Sequence, residues 1–151
     1  MDQRLRRCTD EGMSVLIGTV SAEGEPHCCR AIAVAGDSNL DVVTVYIPAA
    51  TGQEAIANIA TSRRLAVVVS HPVRHDSIQL KGTSRSVRMA RDDEAAMIRS
   101  RLEAFAEVLA TVGLPKLITR SLTCWPAFAV EMDVCEIFDQ TPGPKAGVAI
   151  R

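Results

Sequence analysis

Three groups of residues in this chain have the types and spacing to do chemistry: Arg30 within an apolar run, the pair Thr51 and Glu54, and the imidazoles of His71 and His75. A guanidinium on a strand needs an anion, a carboxylate or exposure at a rim, because an unpaired buried charge is costly. Thr51 and Glu54 have the T-x-x-E spacing of a capping box, which predicts a helix start whose free amides form an anion site. Arg30 and that helix start could hold one phosphate between them. His71-x-x-x-His75 would share a face of a helix, but Pro72 argues against one, so both are read as loop histidines and no metal site is assigned. Cys28 and Cys29 are neighbours on a predicted strand and point to opposite faces, as buried small hydrophobes rather than a redox pair.

The elements that must position these groups follow from hydrophobic periodicity. Residues 15–20 are β-branched and bounded by turn formers, so they predict a buried strand. A tight turn, Ser21-Ala22-Glu23-Gly24-Glu25-Pro26, leads to a hairpin partner at 27–34. Period two then puts Cys28, Arg30, Ile32 and Val34 on one face and His27, Cys29, Ala31 and Ala33 on the other. A turn at 35–39 precedes a strand at 41–47, closed by Pro48, and a short helix at 52–60. Strands follow at 65–69 and 77–89, the second with one wet side at its start. Residues 91–112 predict the long helix: Ile98, Leu102, Phe105, Leu109 and Val112 form an apolar stripe, and Asp92, Asp93 and Glu94 suit its N-terminal dipole. Gly113 and Pro115 stop it. A last strand at 127–138 has one buried face, and 140–151 reads as an irregular tail. Hairpin-length turns and segregated helices favour an α+β, mainly antiparallel barrel over a parallel βαβ sheet.

Composition narrows the function classes. The chain has 151 residues, enough for a single domain with a real core. Hydrophobic residues make up 47% and aromatics only 3%, so the core must be built from Val, Ile, Leu and Ala. With 17 Lys and Arg against 18 acids, there is no field to hold nucleic acid or an anionic membrane. Five cysteines without a C-x-x-C pair point to reduced thiols and a cytoplasmic protein. Arg4, Arg6 and Arg7 precede an apolar run at 13–20, but that run is too short for a membrane span and lacks a cleavage pattern. The motifs of α/β hydrolases, P-loop nucleotidases, zincins and dinucleotide-binding folds are all missing.

Taken in order, Arg30-Ala31-Ile32, Tyr46-Ile47, Thr51-Gly52-Gln53 and Ser77-Ile78-Gln79-Leu80-Lys81-Gly82 resemble the pyridoxamine 5'-phosphate oxidase-like split barrels that bind flavin mononucleotide (FMN). In that oxidase an Arg-x-Val stretch on the second strand meets the flavin and a Tyr-Thr pair ends the third strand. A Ser-Arg-Lys cluster opening the next helix grips the phosphate, and a Gln-Val-Arg-Ile-x-Gly strand follows. The resemblance covers about residues 13 to 90. It implies an antiparallel split β-barrel with one short and one long helix, and a homodimer with two equivalent sites.

By that resemblance Arg30 would bind the FMN phosphate, and backbone groups at Ala31 and Ile32 would approach the ring. Tyr46 and Ile47 would line the pocket, and Thr51 would cap the phosphate. Gly52 and Gln53 stand where the family has Arg and Lys, and Ser77 where it has Gln. The Arg and His that hold pyridoxal phosphate in the oxidase have no counterpart in residues 127–151, so vitamin B6 oxidation itself is not implied. The leading expectation is an FMN-dependent oxidoreductase of unassigned substrate. The alternatives are a split-barrel module for haem, with His27, His71 or His75 as ligand, for a deazaflavin or for another ligand, and a dimeric protein with a decayed flavin site.

Overall fold

In the computed structural model, which describes Leu5 and residues 9–37 and 39–151, a strand that changes partner halfway closes the barrel. Arg4, Arg6, Arg7 and Cys8 lie outside the described residues. The elements run β1 (Ser14–Val20), β2 (Pro26–Ala31), β3 (Ala33–Gly36), β4 (Val42–Pro48), α1 (Gln53–Ser62), β5 (Arg64–Ser70) and β6 (Ser77–Met89). A 3-10 turn (Asp92–Glu94) then enters α2 (Ala95–Ala110), followed by α3 (Lys116–Arg120), β7 (Ala127–Asp139) and β8 (Val148–Ala149). All pairings are antiparallel in the order β2-β1-β5-β6-β7-β4-β3, with β8 added to β7. Since β2 and β3 are one stretch of chain interrupted at Ile32, the two ends of this order are joined. The Ile32 amide donates to the Tyr46 carbonyl at 2.8 Å where the partner changes. The result is the antiparallel split barrel of α+β class that the sequence predicts.

The interruption corrects the expected faces of this strand. Cys29 and Ala31 pack inward and Arg30 outward, as period two requires. Past Ile32 the phase shifts: Val34 joins the barrel interior, whereas Ile32 and Ala33 join a second cluster outside it. A single extra residue is enough to reverse which side chains face the core.

The interior is aliphatic, as the shortage of aromatics demands. Ile17, Val45, Ile47, Val67, Val69, Leu80, Met132 and Ile137 are each at most 1% exposed. Each such side chain contributes roughly 1.5–3 kcal/mol by leaving water. Helix α1 plugs one end of the barrel, with Ile59 in the core and Asn58 Nδ2 donating to Thr19 Oγ1 at 3.1 Å. Helix α2 lies on the outside, where Ile98 and Leu102 pack on Ile32, Ala33, Tyr46, Ala127 and Ala129.

Four local expectations change. The helix predicted at 91–112 begins as a 3-10 turn and is α-helical only over Ala95–Ala110. The five-residue helix α3 follows it, pinned by Arg120 to Glu103 and Lys116 to Glu107, where none is predicted. The tail expected to be irregular contributes β8, and Arg151 closes it by pairing with Asp41 at 2.7 Å. The capping box does not form: Gly52 is the N-cap without a side-chain bond, and the Thr51 and Gly52 amides both donate to Pro48 O. Glu54 reaches His27 instead, Oε1 lying 3.2 Å from Nδ1.

Candidate functional site

Among the described residues no helix stands over Gly18, Ala66 and Lys81 on the outer face of β1, β5 and β6, whereas α2 and α3 flank the Ser14 and Arg30 end of that face. Cross-strand register arranges its side chains in rows. One row is Cys28, Gly18, Ala66, Lys81 and Glu136, and the next is Arg30, Leu16, Val68, Gln79 and Phe138. Ser14, Ser70 and Ser77 form a third, hydroxyl row. Two concavities lined by described residues lie on this face.

The first is a shallow depression of about 430 Å³ over Gly18, Ala66 and Gly82. A Cβ built at Gly18 would meet nothing within 4 Å, so the strand backbone is bare there. Arg64, Lys81 and Cys135 stand around it. Lys81 Nζ sits 4.4 Å from the centroid of the Phe138 ring, and among the described residues neither Arg64 nor Lys81 is ion-paired. Cys135 is the extra residue of a β-bulge between the Lys81–Glu136 and Gly82–Val134 pairs. The Glu136 carboxylate, opposite Lys81, also lines it, so a flat, open floor with two cations and one acid around it suits a planar ligand with a charged, polar edge.

The second is a groove of about 440 Å³ where β1, β2 and β5 meet α2 and α3. Arg30 enters it, donating to Ser14 Oγ at 3.1 Å with its guanidinium 5.3 Å from the Phe105 ring centroid. No described carboxylate pairs with Arg30, so a salt bridge to one of the acids is not its role among these residues.

The expected site residues are spread over several environments. Arg30 leans toward Ser14 and α2, whereas Glu54 of α1 meets the other end of β2 at His27. Ala31 and Ile47 are interior, at 2% and 0% exposure, so only their backbone is available to a ligand. Ile32 and Tyr46 are buried beneath α2, and the Tyr46 hydroxyl donates to Glu94 Oε1 at 2.8 Å. Burial first, and that bond second, push the Tyr46 phenol up to about 12. Thr51 and Gln53 are exposed, and Gln53 Nε2 turns back to Ala49 O at 3.0 Å. Ser77 is nearly buried against the tail, where its amide donates to Thr141 Oγ1. Gln79 accepts from Gln140 at 3.2 Å. The structure thus brings Arg30 and Ser77 to one face, and gathers none of the others around them.

Gly52 has a steric reason. A Cβ there would lie 2.5 Å from Ile47 Cγ2 and 2.9 Å from Pro48 O, so a basic side chain cannot occupy this position without displacing the end of β4. Of the histidines, His71 Nδ1 accepts from the amides of Val73 and Arg74, and burial first, then Arg74, lowers its pKa. Among the described residues no three His, Cys, Asp or Glu side chains form a metal-binding group, and no helix is long and apolar enough to cross a membrane.

Sequence reading missed Ser14, Gly18, Ala66, Ser70 and Thr119 as site-lining residues. Gly18 and Ala66 were legible as strand positions and Ser14 and Ser70 lie one residue beyond the expected strands, but their common face depends on the β1–β5 pairing. Thr119 carries no signal, because α3 is too short to show periodicity.

No protein-family model and no curated protein matches this chain. Solved structures do. An F420 reductase is 12% identical with a TM-score of 0.57, over 91% of this chain and 98% of that one. A candidate pyridoxamine 5'-phosphate oxidase of Lactobacillus delbrueckii is 18% identical with a TM-score of 0.56, over 91% and 92%. An FMN-binding protein of Syntrophomonas wolfei is 12% identical with a TM-score of 0.54, over 90% and 81%. These likenesses define a class of fold, the split barrel. The particular form is the pyridoxamine 5'-phosphate oxidase-like one, and at such identities the likeness speaks for the fold alone.

Proposed function

We propose that this chain binds a flavin, FMN in the first instance, on the uncovered outer face of its barrel and acts as an oxidoreductase. The observation that carries the reading is the bare strand backbone at Gly18 beside the small Ala66, flanked by Arg64 and Lys81, neither of which is ion-paired among the described residues. Those residues fit the group: the small pair leaves a flat floor for a planar ring, and the cations suit its phosphate and the negative charge of a reduced ring. Arg30 stands one row along the same face, turned to the neighbouring groove.

FMN, when bound, supplies the electron-transfer chemistry that no side chain here provides. The protein's part is to orient and shield. Leu16 and Val68 form an apolar ridge beside the floor, and Lys81 is steadied by the Phe138 ring. An exposed apolar ridge on a sheet also suits a second copy of the chain, which supports the homodimer that the resemblance implies. The fold shared with an F420 reductase and an FMN-binding protein is consistent with either cofactor on this face.

The test is titration of FMN into the purified protein, followed by quenching of flavin fluorescence and by light scattering. Saturable quenching with a dimeric mass is expected. A protein that neither quenches FMN nor co-purifies with a chromophore would sink the reading.

A further inference from the structure

The groove between the barrel and the α2–α3 pair has a composition that a flavin on the neighbouring depression does not explain. It joins one cation, Arg30, to the hydroxyls of Ser14, Ser70 and Thr119 and to apolar walls that include Leu109, Leu114 and Ile118. We infer that this groove is a binding site for an organic anion, an anionic head on an apolar body, held by Arg30 and Thr119.

Two independent observations carry the inference. Arg30 has no carboxylate partner among the described residues, and its guanidinium is held over Phe105 with one bond to Ser14 Oγ. A guanidinium presents five donors, so most of this one's capacity faces the groove. Thr119 is only 2% exposed, yet among the described residues its Oγ1 has no hydrogen-bond partner. A buried hydroxyl left unpaired is unfavourable, and the residue that carries this one is part of the wall of the groove that Arg30 enters. Ser14 accepts from Arg30 and keeps its own proton to donate to an anion.

The walls set the rest of the ligand. A bare inorganic anion would leave Leu109, Leu114 and Ile118 wet, and a purely apolar molecule would leave Arg30 and Thr119 unmatched. Only a molecule with both parts satisfies the groove. The site is separate from the Gly18–Ala66 floor and stands whether or not a flavin binds there.

Decanoate is the probe, with decanamide as its uncharged counterpart, each titrated calorimetrically into the full chain. Decanoate should bind wild type at least about tenfold more tightly than decanamide does. Arg30→Gln should weaken decanoate about tenfold or more, and the isosteric Thr119→Val about threefold or more, each variant being folded by circular dichroism. Absence of decanoate binding, or equal binding by wild type and a folded Arg30→Gln, overturns the inference. Should Arg30→Gln fail to fold, unchanged decanoate affinity in Thr119→Val overturns it alone. Competition identifies the source of the head. Displacement of decanoate by neither FMN nor riboflavin is expected of a site separate from the flavin floor, and displacement by FMN but not by riboflavin would overturn that separation by making the groove the flavin's own phosphate site.

Discussion

The hydroxyl of Tyr46 on β4 donates to Glu94 Oε1 at 2.8 Å, and Arg88 at the end of β6 donates to both oxygens of the same carboxylate, at 2.7 and 2.8 Å. The Arg91 amide adds a fourth bond at 2.7 Å. One buried carboxylate therefore ties two strands of the barrel to the turn that starts α2. Its fixed position also explains why Tyr46 faces α2.

That cluster predicts an acid-sensitive stability. Hydrogen bonds from Arg88 chiefly, then from Arg91 and Tyr46, hold Glu94 at about 2 in the folded state against an ordinary 4.5. Its contribution, on the order of 3 kcal/mol, is fully present above about pH 4.5 and is lost as the pH falls toward 2. Tyr46→Phe should cost about 1–2 kcal/mol at pH 7 and move the acid loss to higher pH, since one donor to the carboxylate is gone. Urea denaturation between pH 2 and 7 checks both, and a Tyr46→Phe curve parallel to wild type would remove the coupling.

Filling the bare floor separates folding from binding. Gly18→Val adds a β-branched residue to a strand where a Cβ meets nothing, so stability should hold or rise by a few tenths of a kcal/mol. FMN binding should fall at least about tenfold, because the added methyls stand where the ring is proposed to lie. A Gly18→Val protein that quenches FMN as wild type does would move the flavin off this face.

Two other glycines should not tolerate a methyl. At Gly82 a Cβ would lie 1.9 Å from Asp133 O on the paired strand, and backbone cannot yield there without breaking the bulge at Cys135. Gly82→Ala should cost about 3 kcal/mol or more, and Gly52→Ala, which presses on Ile47 and Pro48 O, about 1–3 kcal/mol. Chemical denaturation of both variants beside Gly18→Ala, which should be within about 1 kcal/mol of wild type, provides the comparison.

Thiol reactivity should follow the faces of β2. Burial, then the neighbouring Cys28 and Glu54, push the Cys29 thiol up to about 11, so at pH 8 only about one molecule in a thousand carries its thiolate. Cys28 and Cys135 are exposed. Brief alkylation at pH 8 with mass-spectrometric mapping should label Cys28 and Cys135 well before Cys29. Equal labelling of Cys28 and Cys29 would mean that β2 does not hold its inward face closed.

Much of the fold was legible because its signals are local. The alternation of Val15, Ile17 and Thr19, the apolar run at 65–69 and the stripe from Ile98 to Phe105 each reflect a period that a single element imposes on its own residues. Gly113 and Pro115 mark the end of the long helical segment for the same reason. The Thr51–Glu54 spacing misled, because a capping box competes with tertiary demands: the turn at Pro48 took the first amides, and His27 took Glu54.

The sequence by itself determined an aliphatic antiparallel barrel with helices set apart, since composition and periodicity leave few other ways to bury these side chains. Only the tertiary structure decided the site. Whether Arg30 faces α1 or α2, whether Gly18 is covered, and whether Thr119 finds a partner all depend on contacts between segments 16 to about 100 residues apart, such as Arg30 with Ser14 and with Phe105. Local propensity carries no information about such pairings, because strand register and helix docking are fixed by the packing of the whole core.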